Sequence, residues 1–162
     1  KLLEYNVRLG DPETQAVLPL MESDFADLCR AITDGTLDTF PLAWKKGFVC
    51  APVAVSGGYP GKYGKGFPIT IDSAKVADTG AKIFIAGATA PTGVEAPTSA
   101  VPGADDASLV TSGGRVLSAS AFGSTMEEAR QNAYAALSSI SFEGMGFRRD
   151  IGLPGAAESG DL

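Results

Sequence analysis

The sequence predicts an α+β fold, a small β-rich region carrying one long packing helix, and three observations predict it. Residues 3–9 alternate apolar and polar side chains without a break. Residues 125–140 carry a capped helical pattern, and the apolar runs between these two segments are short and bounded by glycine and proline. Period-two alternation marks a half-buried strand, 3.6-residue spacing marks a helix, and short bounded runs mark further strands.

In the first run, Leu3, Tyr5, Val7 and Leu9 face one way while Glu4, Asn6 and Arg8 face the other. Side chains on one face of such a strand stand roughly 7 Å apart. A carboxylate, an amide oxygen and a guanidinium in a row can hold a hard cation and an anionic group, although a merely solvated polar face gives the same pattern. The chain opens at Lys1 directly in this expected strand, which predicts a longer protein whose N-terminal part precedes it.

Gly10 ends the strand, and Asp11-Pro12-Glu13 reads as a helix start, with Asp11 as N-cap and Pro12 at the first helical position. The helix is expected to run through Val17 and break near Pro19. A second helix is expected from Ser23, with Phe25, Leu28, Cys29 and Ile32 as one buried face and Gly35 closing it.

Residues 48–55 read as a short strand in which Pro52 marks an edge position or a bulge. The glycine-dense segment 56–66 reads as a loop. Because it leads into the strand-like run 67–71 rather than a helix, a phosphate-cradling loop is not expected and a hairpin connection is. Residues 82–86 form another short strand. Residues 87–108 are rich in Ala, Pro, Thr, Gly and Asp and read as a mobile surface loop. Residues 109–111 and 115–122 read as a hairpin around Ser112-Gly113-Gly114, where Arg115 is either an anion contact or simply solvated.

Thr125 and Glu128 form a capping box for a helix from Met126 to about Ser139. Its packing face is Ala129, Ala133, Ala136, Leu137 and Ile140, and residues this small predict close packing on a sheet. Arg148-Arg149-Asp150 reads as a surface ion pair of little weight. Residues 153–162 read as a disordered tail.

Composition narrows the function classes. A net charge of −6 with a pI near 4.6 argues against a nucleic-acid binder, which needs a basic face. No apolar run approaches the roughly 20 residues that span a bilayer, so no membrane partner is expected. The absence of histidine removes a Ser-His-Asp triad and histidine-based zinc chemistry. Cys29 and Cys50 sit singly in apolar runs and read as reduced core thiols of a cytoplasmic protein.

Several segments together resemble the phosphoribosylamine–glycine ligase (glycinamide ribonucleotide synthetase) family, ATP-grasp enzymes of purine synthesis. They are residues 4–15 (EYNVRLGDPETQ), 58–61 (GYPG), 111–117, 125–134, 142–145 (FEGM) and 148–152 (RRDIG), in the family's order. The first is highly specific. Together they look like the C-terminal third of such an enzyme, so the resemblance implies that residues 1–35 end an ATP-grasp domain. Residues 36–152 would then form a β-rich C-terminal domain.

The resemblance also implies chemistry: ATP phosphorylates the carboxylate of glycine, and the amine of 5-phosphoribosylamine displaces the phosphate to give glycinamide ribonucleotide. It implies Mg2+ or Mn2+ held by Glu4 and Asn6. It makes Arg8 the catalytic anion contact and places Arg8, Asp11, Pro12, Glu13, Tyr59 and Pro60 at the substrate. Oxygen donors two apart on a strand suit a hard cation. The sequence departs from the family at Gly57, where a lysine is usual, at Ile85, where a histidine is usual, and in the length of the 87–108 loop. Nothing in the chain matches the lysines and flexible loop that hold ATP, so the expected partners include the N-terminal part of the same enzyme. The alternatives are another ATP-grasp ligase or carboxylase, which shares Glu-x-Asn-x-Arg but lacks the Gly-Asp-Pro-Glu continuation, and a non-catalytic binding domain.

Overall fold

The structure, a computed structural model, describes residues 1, 5, 7–91 and 109–153. Glu4, Asn6, most of the 87–108 segment and the tail from residue 154 lie outside the described residues. Two four-stranded sheets organise the rest. The nine-residue strand β7 (Arg115–Gly123) is the axis of the first. Along one side it pairs antiparallel with β1 (Phe48–Cys50) and then β2 (Val53–Val55), and along the other with β4 (Lys82–Ile85). The second sheet has the order β5-β6-β3-β8, formed by Ala88–Thr89, Leu109–Thr111, Pro68–Ile71 and Ile140–Ser141.

The α4 helix (Met126–Ser138) opens on Thr125, whose hydroxyl accepts the Glu128 N–H at 3.1 Å. The box is not reciprocal: the Glu128 carboxylate takes the N–H and hydroxyl of Ser124 instead, at 2.7 and 2.6 Å. Ala129, Ala133, Ala136 and Leu137 are fully buried, and α4 lies on β7 and β1. Alanines let the helix backbone approach the sheet closely, and Gly123 shows how close. A Cβ there would stand 2.8 Å from the Thr125 carbonyl oxygen and 2.9 Å from Ala129 Cα, so no side chain fits. In β7, residues 116–121 are all buried. Successive strand residues point to opposite faces, so this strand is covered on both.

Several expectations are corrected. Residues 48–55 form two strands interrupted at the fully buried Pro52, which has no N–H to donate; its carbonyl accepts from Ala119 N–H at 3.2 Å and keeps the register along β7. Segment 56–66 is not a hairpin connection, because β2 and β3 belong to different sheets. Ser112-Gly113-Gly114 is likewise a crossover: β6 enters the second sheet and β7 the first. The N–H groups of Ser112 and Gly113 turn to the Gly87 carbonyl at 2.8 and 3.0 Å rather than closing a two-strand turn. A short helix, α3 (Ser73–Asp78), lies where none is expected, capped by Asp72, whose carboxylate accepts the Lys75 N–H at 3.1 Å.

The N-terminal segment differs most. Among the described residues 5 and 7–9 there is no strand, and Tyr5 and Val7 are 79 % and 94 % exposed. A strand needs a neighbour to satisfy its backbone, and no described residue pairs with this one. Helix α1 (Glu13–Val17) is followed by a 3-10 turn through Pro19. Helix α2 (Phe25–Asp34) starts on Asp24, not Ser23: the Asp24 carboxylate accepts the N–H of Ala26 and Asp27, while Ser23 bonds to Pro41 and Ala43. Gly35, at φ 69°, closes it. Its expected buried face is open: Phe25, Cys29 and Ile32 are exposed, and only Ala31 is buried. An amphipathic stripe records that a helix has an apolar side, not that the same segment supplies the surface to cover it. Cys50 is buried as expected, and both thiols are free.

Candidate functional site

The described part of the first motif is a turn seated on the β-rich region. Gly10 is buried; its N–H is accepted by the Glu13 carboxylate at 3.2 Å, and its carbonyl takes the N–H and hydroxyl of Thr14 at 2.9 and 2.6 Å. The N-cap position falls on Pro12, which has no side-chain oxygen, so Asp11 does not cap α1. The carboxylate of Asp11 is engaged elsewhere. One oxygen accepts from Gln15 Nε2 at 2.7 Å, and the other lies 3.4 Å from Arg115 Nε. The Asp11 carbonyl also accepts Arg115 Nη1 at 2.9 Å. A second tether lies five residues along β7, where Ser120 Oγ donates to the Gln15 carbonyl at 2.6 Å.

Arg8 is exposed, and its guanidinium donates to the adjacent Leu9 carbonyl at 3.1 Å. The group is therefore available to an anion. Pro12 and Glu13 also border a cavity of about 300 Å³, whose far wall is Val49, Cys50, Met126 and Ile151. That wall brings no cationic side chain to hold a carboxylate or phosphate. Among the described residues no three of Asp, Glu and Cys gather closely enough to hold a metal ion.

The second motif lies beside the first. Tyr59 and Pro60 are exposed at the tip of the 56–66 loop, with the Tyr63 ring 6.3 Å from that of Tyr59. Ser56 pins the loop base, its N–H on the Gly114 carbonyl and its hydroxyl on the Gly113 carbonyl, both at 2.8 Å. Gly114 is glycine because the two rings pack on it: a Cβ there would stand 2.7 Å from Tyr59 Cε2 and 3.1 Å from Tyr63 Cε1. Consecutive residues of the chain thus touch both motifs, Gly114 the Tyr59 loop and Arg115 the Asp11 turn. From the sequence, Gly114 is expected in a turn and Arg115 as an anion contact or a solvated strand residue; the organising role of the pair emerges only in the structure. Its only signal is a cation directly after two glycines.

The last motif is a strap on α4. The Tyr134 hydroxyl donates to the Arg148 carbonyl at 2.6 Å and accepts the Ile151 N–H at 3.3 Å. Burial pushes the Tyr134 phenol upward, and burial also raises the Cys50 thiol. Arg148 and Asp150 pair at 2.6 Å on the surface, which holds the Asp150 carboxyl below its ordinary value and contributes little to stability.

Residues 49–154 match the family described as "Phosphoribosylglycinamide synthetase, C domain". The chain belongs to this family. A phosphoribosylamine–glycine ligase of Clostridium acetobutylicum is 46 % identical over 151 residues, 93 % of this chain and 32 % of that protein. A bifunctional purine biosynthetic protein of Schizosaccharomyces pombe is 44 % identical over 93 % of this chain and 17 % of its own length. In solved structures, the phosphoribosylamine–glycine ligase of Thermotoga maritima superposes with a TM-score of 0.64 at 35 % identity, covering 92 % of this chain and 32 % of that one. The α+β fold is thus that of the synthetase C domain with its N-terminal approach. The chain spans about a third of the length of the single-function ligases it matches.

Proposed function

We propose that this chain supplies one wall of the active site of an ATP-dependent ligase that joins glycine to 5-phosphoribosylamine, giving glycinamide ribonucleotide in purine synthesis. The observation that carries this reading is the Arg8–Glu13 turn held against the synthetase C domain by Arg115 and Ser120, with the Tyr59 loop beside it. Residues 1–35 are read as the end of an ATP-grasp domain, residues 36–152 as the C-terminal β-rich domain, and 153–162 as a tail. The partners are the remaining two-thirds of the enzyme and its substrates ATP, glycine and phosphoribosylamine, in the cytoplasm. No helix among the described residues is long and apolar enough to cross a membrane.

In the reaction a glycine carboxylate oxygen attacks the γ-phosphorus of ATP and ADP leaves. The amine of phosphoribosylamine then attacks the acyl carbon of the resulting glycyl phosphate, and phosphate leaves as the amide forms. Negative charge gathers on transferring phosphoryl oxygens and on the acyl phosphate. A guanidinium such as that of Arg8 offsets that charge where water is excluded. Asp11, Pro12 and Glu13 shape the pocket edge, and Tyr59 and Pro60 border the substrate from the neighbouring loop. Glu4 and Asn6 bring hard oxygen donors, the type Mg2+ or Mn2+ takes, and such an ion would neutralise charge on the ATP phosphates. Gly57 stands where a lysine is usual, so at that position the Tyr59 loop brings no cation.

The test is glycine- and phosphoribosylamine-dependent ADP formation by the full-length enzyme. Glu4→Ala is expected to abolish metal-dependent ligation without altering the far-ultraviolet spectrum, and normal turnover in that variant refutes the metal assignment. The 162 residues alone are expected to show no micromolar ATP–magnesium binding by calorimetry, and such binding would contradict a nucleotide site completed elsewhere.

A further inference from the structure

We propose that Arg115 is a positioning residue for the ligation reaction, acting through Asp11 to set the Arg8–Glu13 turn against the Tyr59 loop; this rests on the function proposed above. Arg115 lies 104 residues from Asp11 in sequence yet meets it twice. Nη1 bonds to the main-chain carbonyl at 2.9 Å and Nε faces the carboxylate at 3.4 Å. A contact to a carbonyl alone would hold the backbone but leave the side chain free to swing. A contact to the carboxylate alone would leave the backbone free. The fork of a guanidinium engages both, which an ammonium on a flexible stem does less well. The residue before it, Gly114, carries the ring of Tyr59, so both halves of the candidate site are referred to one point at the start of β7.

That point is rigid. Val116 and Leu117, which follow, are fully buried, while Asp11, Pro12 and Glu13 are exposed. In a turn whose residues other than Gly10 are exposed, packing does little to fix the position, and the tethers set it. Ser120 holds the far end at Gln15, so loss of Arg115 frees the near end selectively, next to Arg8. Displacement of a substrate-contacting turn by an ångström weakens binding and misaligns Arg8 with the charge it offsets.

The test combines hydrogen exchange on the 162-residue chain with kinetics of the full-length enzyme. In Arg115→Ala, the amides of Gly10 and Thr14, which are bonded within the turn, are expected to exchange faster while those of residues 117–121 and 133–137 keep their protection. The KM for glycine or phosphoribosylamine is expected to rise about tenfold, the scale of one lost charge-assisted hydrogen bond. The KM for ATP is expected to change less than threefold, kcat to fall alongside the raised KM because Arg8 stands on the freed end, and Arg115→Lys to recover part of the loss. Unchanged amine and glycine KM values overturn the proposal. So does a fall in kcat alone, which would place Arg115 at the reacting atoms. Should the alanine variant not fold, Arg115→Lys decides: raised KM with wild-type melting supports the proposal, and wild-type KM values overturn it. A wild-type enzyme without glycine-dependent ADP formation refutes the function instead, and the exchange comparison still tests the tether.

Discussion

The hydroxyl of Ser120, in the middle of β7, donates at 2.6 Å to the main-chain carbonyl of Gln15, the central residue of α1. This bond joins residues 105 apart in sequence and ties the N-terminal segment to the most buried strand of the molecule. Ser120→Ala removes the donor and leaves a carbonyl facing an apolar methyl. A loss of about 1 kcal/mol is expected, close to the net worth of one such bond. In a chain this size it lowers the melting temperature by roughly 2–4 °C. Calorimetric melting measures it, and an unchanged midpoint would show that water replaces the hydroxyl without cost.

Gly123→Ala tests the approach of α4 to the sheet. The added methyl meets the Thr125 carbonyl and Ala129 Cα, backbone atoms that cannot swing aside. Overpacking of about 1–3 kcal/mol is expected, with slower folding or lower expression if the helix N-terminus is displaced. Denaturant unfolding decides it, and wild-type stability would mean that α4 rides higher on β7 than described.

The two thiols differ in access, and a colorimetric disulfide reagent reads the difference. Cys29 is exposed on α2, whereas Cys50 is buried and its thiol is pushed up by desolvation. Native protein at neutral pH should react quickly at Cys29 and slowly at Cys50 until denaturant is added. Cys29→Ser removes the fast phase. A fast phase that survives that substitution would place Cys50 at the surface.

Acid stability follows from three lowered carboxyls. Hydrogen bonds from Ser124 depress Glu128, Lys75 depresses Asp72, and Arg148 depresses Asp150. A group with a depressed folded-state pKa adds stability above its unfolded value, about 4 for a carboxyl. That stability is lost as pH falls through the lower folded value. Stability is therefore expected to fall with acid below about pH 4. Glu128→Gln flattens part of that slope while leaving the neutral-pH helix content nearly unchanged. An identical slope in both proteins would mean that the carboxylate is free in solution.

Features that local rules decide were legible in the residues alone. Helix α4 was legible because its cap, Thr125, and its alanine face lie within one short segment, and a helix ends where its own backbone donors are capped. Helix α2 was legible to within a residue, its close at Gly35 as expected and its cap on Asp24 rather than Ser23, and the motif of residues 4–15 pointed to the family. Only the tertiary structure decided which strand pairs with which. Ser112-Gly113-Gly114 is equally suited to a hairpin and to a crossover, and the choice rests on the Gly87 carbonyl, more than 20 residues upstream. The same holds for burial: the stripe Phe25–Ile32 has helical spacing, yet no described element covers it. The site shows the division most clearly. The family resemblance nominates Arg8, Asp11 and Glu13, and local rules make Asp11 a helix cap, whereas in the structure Arg115, from β7, lies on its carboxylate. Charge and hydrogen bonding act through space, and a partner 104 residues away has no spacing to read.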